Sequence, residues 1–81
     1  MIIRIQFWSY FKDIAGSEFT EVEVPSGTTL GQLQDRIGQQ FPKMASLRGC
    51  TLASVGVDYQ TAEHILHDGD QVSLFPPVQG G

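Results

Sequence analysis

Apolar and polar side chains alternate at the start of the chain, where Ile3, Ile5 and Phe7 are separated by polar residues. An alternation with a period of two is typical of a strand that has one buried face. The pattern predicts a first strand with these three side chains directed toward a core. In the same phase, the next residue, Trp8, is expected on the outward face.

A short helix and a second strand are predicted next. Ser9 is expected to cap a helix over residues 10–15 and Gly16 to end it, because glycine is common just past a helix C-terminus. Residues 20–24 alternate between Thr or Val and Glu, which predicts a strand that stops at Pro25-Ser26-Gly27. Only a brief connection separates the two strands, so we expect them to pair antiparallel.

The main helix is predicted from an apolar stripe and a cap. Thr29 and Gln32 have the spacing of a capping box, and Pro42 is expected to end the helix. Gly31 and Gly38 lie inside it and are expected to weaken it by up to ~1 kcal/mol each relative to alanine. The stripe consists of Leu30, Leu33, Ile37 and Phe41.

The second half of the chain is predicted to contain two strands joined by loops. Residues 43–51 read as a loop, residues 52–57 as a third strand, and Asp58 with Tyr59 as the start of a turn. Residues 67–70, His-Asp-Gly-Asp, are typical of a turn that leads into a last strand. Together these elements predict an α+β domain, a mixed sheet with one main helix across one face.

The last strand is expected to direct Val72 and Leu74 inward, and Gln71, Ser73 and Phe75 outward. Pro76 and Pro77 cannot donate to a sheet ladder, so strand pairing is expected to stop there. This divides the chain into a folded domain, residues 1–75, and an extended, flexible C-terminal tail, residues 76–81.

Composition argues against several partners. Five Lys+Arg against nine Asp+Glu among 81 residues give a net charge of −4, which disfavours nucleic acid and anionic lipid as partners. No apolar stretch has the ~18 residues of a membrane span, and the start does not resemble a signal peptide. Cys50 is the single cysteine, so no internal disulfide is expected. We expect a protein of the cytoplasm.

The residue types present do not form a catalytic or metal-binding pattern. His64 and His67 lie near carboxylates, but their spacing matches no ligand signature, and a solvated loop explains them better than a metal site. Cys50 is expected to be a small, partly buried structural thiol. We therefore predict no metal and no permanently bound cofactor.

Two features favour a function in binding. If the strand phases are right, Trp8 and Phe75 share the outward face, and Tyr59 is a candidate to join them, as expected of a contact surface. The alternative is that one of these rings belongs to a second, smaller core beneath the loops. The other feature is Gly80-Gly81, because a tail without Cβ atoms can thread a narrow channel and deliver its α-carboxylate, which adenylation with ATP would activate. The alternative here is a frayed terminus.

The ending FPPVQGG, residues 75–81, preceded by Asp68-Gly69-Asp70, resembles that of the molybdopterin synthase small subunits, a family of ubiquitin-like sulfur carriers. The resemblance covers the whole chain in the order of its elements, including the segment SYFKDIAG. Other ubiquitin-like sulfur carriers share the fold and the diglycine, but usually not the double proline and valine.

The resemblance implies a β-grasp fold and a chain that is not catalytic on its own. It implies that a partner related to ubiquitin-activating enzymes adenylates Gly81 with ATP, and that a sulfur donor protein converts it to a thiocarboxylate. The tail would then enter the large synthase subunit, in a heterotetramer of two small and two large subunits, and give its sulfur to cyclic pyranopterin monophosphate for the dithiolene of molybdenum cofactor. The implied tail residues are Pro76, Pro77, Val78, Gln79 and Gly80, and the implied partner interface is Trp8, Tyr59 and Phe75.

One departure and three alternatives accompany the resemblance. Many family members have Ala-Val-Asn where this chain has Ser54-Val55-Gly56. This difference affects a loop hydrogen bond rather than the tail.

The alternatives are a sulfur carrier for thiamin, cysteine or tRNA thiolation, a protein modifier that joins Gly81 to lysines of target proteins, and a binding module with an idle tail.

Overall fold

Five strands, three α-helices and one 3₁₀ helix make up residues 1–77, the part of the chain that the computed structural model describes. In chain order they are β1 Ile2–Phe7, α1 Phe11–Ala15, β2 Phe19–Glu23, α2 Leu30–Gln40, α3 Pro42–Ala45, the 3₁₀ helix Arg48–Cys50, β3 Leu52–Val55, β4 Asp58–Tyr59 and β5 Gln71–Phe75.

The strands form one mixed sheet in the order β2-β1-β5-β3-β4. The first and last strands of the chain, β1 and β5, lie side by side and run parallel, and the other neighbours are antiparallel. The predicted antiparallel pairing of β1 with β2 and the predicted mixed sheet are therefore confirmed. This order places both ends of the described chain on the central strands.

The core lies between the sheet and α2, and the predicted strand phases are confirmed. Each inward residue of β1 is at most 1% exposed, whereas Trp8 is 42% exposed. The side chain of Ser73 is also buried although its phase is outward, because it lies on the central strand between Gln6 and Ser54 in the register. The largest fully buried side chains are Phe7, Phe11, Ile3, Ile5, Leu30, Leu33, Ile37, Leu66 and Val72.

Helix α2 begins with the predicted capping box. The backbone N–H of Gln32 donates to Thr29 Oγ1 at 3.2 Å, and the backbone N–H of Thr29 donates to Gln32 Oε1 at 3.0 Å. Two donors that a helix N-terminus leaves without an intrahelical partner are thus satisfied. At the other end Phe41 is the C-cap, and its ring meets that of Phe7 edge-on with centroids 5.8 Å apart.

The two glycines of α2 mark places where other segments approach the helix closely. A Cβ on Gly31 would lie 2.9 Å from Ala62 Cβ, and one on Gly38 would lie 3.1 Å from Ala45 Cβ. Contacts this short exclude or strain a side chain at both positions. The glycines therefore permit packing in addition to their cost in helix propensity.

Three predictions about local structure were wrong. Ser9 makes no side-chain cap: Tyr10 is the N-cap of α1, and Ser9 has a left-handed backbone with φ of 54°. Residues 43–51 are not an open loop, because α3 and the 3₁₀ helix occupy most of them. Asp58 and Tyr59 do not start a turn but form β4, since the turn lies before them at Gly56, where φ is 63°. That conformation suits both glycine and the asparagine common in the family.

The turn before β5 has the predicted form. Gly69 has φ of 86°, and the backbone N–H of Asp70 donates to the His67 carbonyl at 3.0 Å. Asp68 Oδ1 accepts from the backbone N–H of Ile2 at 2.7 Å. The turn is thus tied to the start of β1, which aligns the two parallel strands from their first residues.

Candidate functional site

An exposed cluster of apolar side chains lies on the outer face of the sheet, on the side away from α2. The rings of Trp8 and Phe75 stack with centroids 5.6 Å apart at an interplanar angle of 17°, and the Tyr59 ring lies 6.0 Å from Phe75, tilted by 60°. Leu52 is opposite Phe75 in the register of β3 and β5. We refer to Trp8, Leu52, Tyr59 and Phe75 as the aromatic surface.

Strand pairing brings these residues together from distant parts of the sequence. Phe7 pairs with Leu74 in the parallel β1–β5 ladder, so the next residues, Trp8 and Phe75, are neighbours. The backbone N–H of Trp8 donates to the Leu74 carbonyl at 3.1 Å, which extends the ladder to this point. The aromatic stack is therefore fixed by main-chain hydrogen bonds as well as by the contact between the rings.

Tyr59 reaches the stack because the residues beneath it are small. It pairs with Ser54 across β3 and β4, and Ser54 pairs with Ser73 across β3 and β5. Both serines are about 6% exposed. Their small side chains leave space above the outer face of the sheet for the Tyr59 ring. A bulky side chain at either position would occupy the space next to the Tyr59 ring.

The predicted interface residues lie together and are accessible. Tyr59 is 66% exposed, Trp8 is 42% exposed, and Phe75 is half-buried between them. A second core beneath loops, the alternative interpretation, would have covered at least one of these rings. The sequence analysis missed Leu52, which is 53% exposed. Its outward phase could have been inferred from the inward position of Ala53. That these residues bind a partner remains a prediction.

A groove of about 460 Å³ runs from the aromatic surface to the end of β5. The lining contains no charged side chain among the residues described. Pro76 is buried and Pro77 is half-buried, so these two residues, which the sequence analysis assigned to the tail, belong to the wall of the groove. The lining residues are Trp8, Ser9, Tyr10, Leu52, Tyr59, Phe75, Pro76 and Pro77.

The remaining predicted tail residues, Val78, Gln79, Gly80 and Gly81, lie outside the described residues. Their roles stay predictions that rest on the sequence. The described chain ends at Pro77, which lines the groove next to the aromatic surface.

A further exposed aromatic side chain, Phe19, lies on the same face, on the edge strand β2. The Arg4 guanidinium lies over the Phe19 ring, 4.1 Å from its centroid, a cation–π contact that joins β1 and β2. On the same face, Gln71 Nε2 donates to Gln6 Oε1 at 3.0 Å, a side-chain hydrogen bond that joins β1 and β5.

The histidines take part in turns. The backbone N–H of His67 donates to Asp70 Oδ2 at 2.8 Å, and the backbone N–H of His64 donates to the Thr61 carbonyl at 3.1 Å. Within residues 1–77, no group of three His, Cys, Asp or Glu side chains is placed to hold a metal ion.

Cys50 is not partly buried as predicted. It is exposed at the end of the 3₁₀ helix, because the chain there runs along the surface between α3 and β3. Among the described residues, none of the helices has the length and apolar character of a membrane span.

Comparisons with known proteins agree with this picture. The model of the ThiS family matches residues 5–81. The molybdopterin synthase sulfur carrier subunit of Escherichia coli (strain K12) is 32% identical over 81 residues, which cover 99% of this chain and 100% of that protein. The fold is similar to that of SAMP1 from Haloferax volcanii, with a TM-score of 0.85, 21% identity and full coverage of both chains.

A further solved structure is a complex of subunits 1 and 2 of the molybdopterin-converting factor from Helicobacter pylori. This chain matches it with a TM-score of 0.69 and 24% identity, with 100% of both chains covered. The structural likenesses confirm the predicted ubiquitin-like β-grasp fold.

Proposed function

Because this chain belongs to the ThiS family, we propose that it is the sulfur carrier subunit of a molybdopterin synthase and that Gly81 carries the sulfur. The observation that supports this most strongly is the 32% identity, over nearly the whole chain, to a molybdopterin synthase sulfur carrier subunit. Relatives with this name support a carrier role, so the chain is a carrier subunit and not an enzyme on its own.

In the proposed chemistry the reacting group is the α-carboxylate of Gly81. A carboxylate is a poor acyl donor, so a partner related to ubiquitin-activating enzymes first transfers AMP from ATP to it, with release of pyrophosphate. Sulfur at the oxidation level of sulfide, supplied by a donor protein, then attacks the acyl carbon, so that AMP leaves and a thiocarboxylate forms without a change of oxidation state. We also propose that this step takes place in the cytoplasm, the compartment expected from the sequence.

The acceptor is cyclic pyranopterin monophosphate, bound by the large synthase subunit. Two carriers supply the two dithiolene sulfurs, in a heterotetramer of two small and two large subunits. A complex of subunits 1 and 2 of the Helicobacter pylori converting factor, to which this fold is similar, supports a large-subunit partner.

The aromatic surface supports the proposal as a docking site, and its size suggests how docking works. Trp8 is 42% and Tyr59 is 66% exposed, which for aromatic side chains of about 150–250 Å² corresponds to roughly 250 Å² for the pair. A stable interface buries about 800 Å² per partner. Leu52 and the half-buried Phe75 add less area than this pair, so the aromatic surface is only part of the interface, and the tail and the groove wall supply much of the rest.

The proposal is tested by reconstitution with the large subunit. We expect the thiocarboxylated chain to convert cyclic pyranopterin monophosphate to the dithiolene product, and a variant without Gly81 to fold normally but form no product. Equal product from the variant without Gly81 would contradict the proposal. Product with a thiamin or tRNA thiolation system, but not with the large subunit, would replace this acceptor with that one.

A further inference from the structure

Within residues 1–77, the sheet has two edges, and β2 forms the longer one. The other edge strand, β4, has only two residues, Asp58 and Tyr59. β2 has five, Phe19–Glu23, and pairs with β1 along one side only. An edge of this length is a template for pairing with another chain, because its outer side presents a row of main-chain donors and acceptors.

The main-chain groups of alternate β2 residues point away from β1. Beside β2, Met1 and Val24 form a hydrogen-bonded pair: the Val24 N–H donates to the Met1 carbonyl at 2.9 Å, and the Met1 ammonium donates to the Val24 carbonyl at 2.8 Å. In an antiparallel ladder such pairs alternate with pairs that make no bond to each other. The β2 residues whose N–H and C=O groups are thereby directed outward are Phe19, Glu21 and Glu23.

This open edge is acidic and has few partners within residues 1–77. Glu21 and Glu23 are exposed, and Phe19 beside them is 48% exposed. Neither carboxylate has a cationic side chain within 4.0 Å, because Arg4, which is opposite Glu21 in the register, has its guanidinium over the Phe19 ring. Of the outward main-chain groups, the Phe19 carbonyl accepts from Ser17 Oγ at 3.2 Å, and the others make no hydrogen bond there.

Clefts on both faces leave room beside the edge. On the outer face, the lining of a cleft of about 350 Å³ includes Arg4, Phe19 and Glu21. On the inner face, a cleft of about 410 Å³ lies between Val24, next to the end of β2, and exposed polar residues of α2 such as Gln32. Successive strand residues point to opposite faces, so the side chains of an added strand have space on both.

A second copy of this chain fits the edge poorly. The antiparallel register that uses all three open residues of both copies puts Glu21 opposite itself in the second copy. Like charges directly opposite each other destabilise a strand pair. The carboxylates therefore disfavour pairing between copies and favour a strand that carries cations at the same spacing.

We propose that the β2 edge is a second docking site, which pairs with an extended segment of another protein that carries Lys or Arg at alternate positions. In the antiparallel pairing, this segment places cations opposite Glu23 and Glu21 and an apolar side chain opposite Phe19. The added strand lies on the side of β2 away from β1, so it leaves the aromatic surface accessible. This site is separate from the proposed carrier function and does not depend on it.

The test titrates two peptides with blocked ends into the isotope-labelled full chain and follows amide chemical shifts and amide exchange. The basic peptide is Thr-Lys-Val-Lys-Val-Leu-Thr. The control has glutamate in place of both lysines, so its first five residues repeat residues 20–24 of this chain and represent a second copy. We expect the basic peptide to saturate with a Kd below about 1 mM and to protect the amides of Phe19, Glu21 and Glu23. The control should bind at least roughly tenfold more weakly.

Two variants at one position separate the main-chain contribution from the charge. Glu21→Gln removes only the charge and should weaken binding of the basic peptide about two- to fivefold. Glu21→Pro removes the same charge and also the outward N–H, which an edge strand tolerates because that N–H makes no bond to β1; binding should weaken more than roughly tenfold. Glu63→Gln makes the same change of charge in an exposed turn and should leave the Kd unchanged.

Several outcomes would overturn the proposal. Absence of saturation, or shifts confined to residues outside β2, would exclude the site. Equal binding of the two peptides, or an equal loss of affinity in Glu63→Gln, would exclude recognition of a basic strand by these carboxylates. Equal Kd values for Glu21→Pro and Glu21→Gln would exclude strand pairing. If Glu21→Pro does not fold, exchange in the wild type decides, since outward amides that stay unprotected with bound peptide would exclude pairing as well.

Discussion

Replacement of Trp8 by alanine is the perturbation that most sharply tests the docking role of the aromatic surface. The Trp8 side chain is 42% exposed, which for a tryptophan corresponds to about 100 Å² of accessible area. At about 25 cal/mol per Å², burial of this area against a partner contributes roughly 2.5 kcal/mol. We therefore expect Trp8→Ala to weaken binding to the large synthase subunit by roughly 30- to 150-fold.

The assay is a calorimetric titration of the full chain into the large subunit. Trp8→Phe is the conservative variant, since it keeps an aromatic ring next to Phe75 and should recover part of the affinity. Val57→Ala is the matched control for exposed apolar area, because Val57 is 95% exposed but lies in the turn at the opposite end of β3 from Leu52.

Trp8→Ala also removes the stack on Phe75, so the free energy of unfolding should fall by at least the roughly 0.5–1.5 kcal/mol of an aromatic pair. Titrations are therefore made well below the thermal midpoint of the variant. Wild-type affinity in Trp8→Ala would refute the docking role. An equal loss in Val57→Ala would show that exposed apolar area in general, and not this surface, determines binding.

Three further variants test the account of the fold, each by urea unfolding. Thr29→Ala removes the hydroxyl that accepts from Gln32 and should cost about 1 kcal/mol; no change would contradict a stabilising capping box. Gly31→Ala places a Cβ 2.9 Å from that of Ala62 and should lower the free energy of unfolding by about 1–2 kcal/mol despite the better helix propensity. A higher free energy of unfolding would show that the segment around Ala62 moves away without cost. Ser9→Gly relieves the left-handed strain and should stabilise by about 0.5 kcal/mol; a loss would contradict strain at this residue.

The strands and α2 could be predicted from the sequence because their signals are local. Alternation over residues 3–7 specifies both the strand and its buried face. The pair Thr29 and Gln32 specifies where α2 begins, and both atoms of the capping box lie within one helical turn. No knowledge of distant neighbours is needed for these inferences.

The features that the sequence analysis missed or predicted incorrectly depend on neighbours far apart in sequence. Gly31 is needed because Ala62 approaches the helix there, and nothing near Gly31 in the sequence signals that contact. Asp58 and Tyr59 have a turn-like composition, yet they pair with β3 once Gly56 reverses the chain. Cys50 is exposed because of the path of the 3₁₀ helix, which leaves no periodic pattern.

The candidate site was predictable to the extent that it follows strand phase. Alternation alone places Trp8 and Phe75 on one face, and the parallel β1–β5 register then brings the rings into contact. The burial of Pro76 was not predictable, because a double proline is equally typical of an exposed spacer. It is buried because its groove is formed by Ser9 and Tyr10, on a different element.

The central claim, that Gly81 carries the sulfur, is tested most directly by an intact mass measurement. The chain is incubated with ATP, a ubiquitin-activating-like adenylating enzyme and a sulfur source, and its C-terminal peptide is then sequenced by mass spectrometry. The account predicts a mass increase that corresponds to one oxygen replaced by sulfur, located at Gly81 and dependent on ATP. An unchanged mass, with the same enzyme shown to load another carrier, would contradict it.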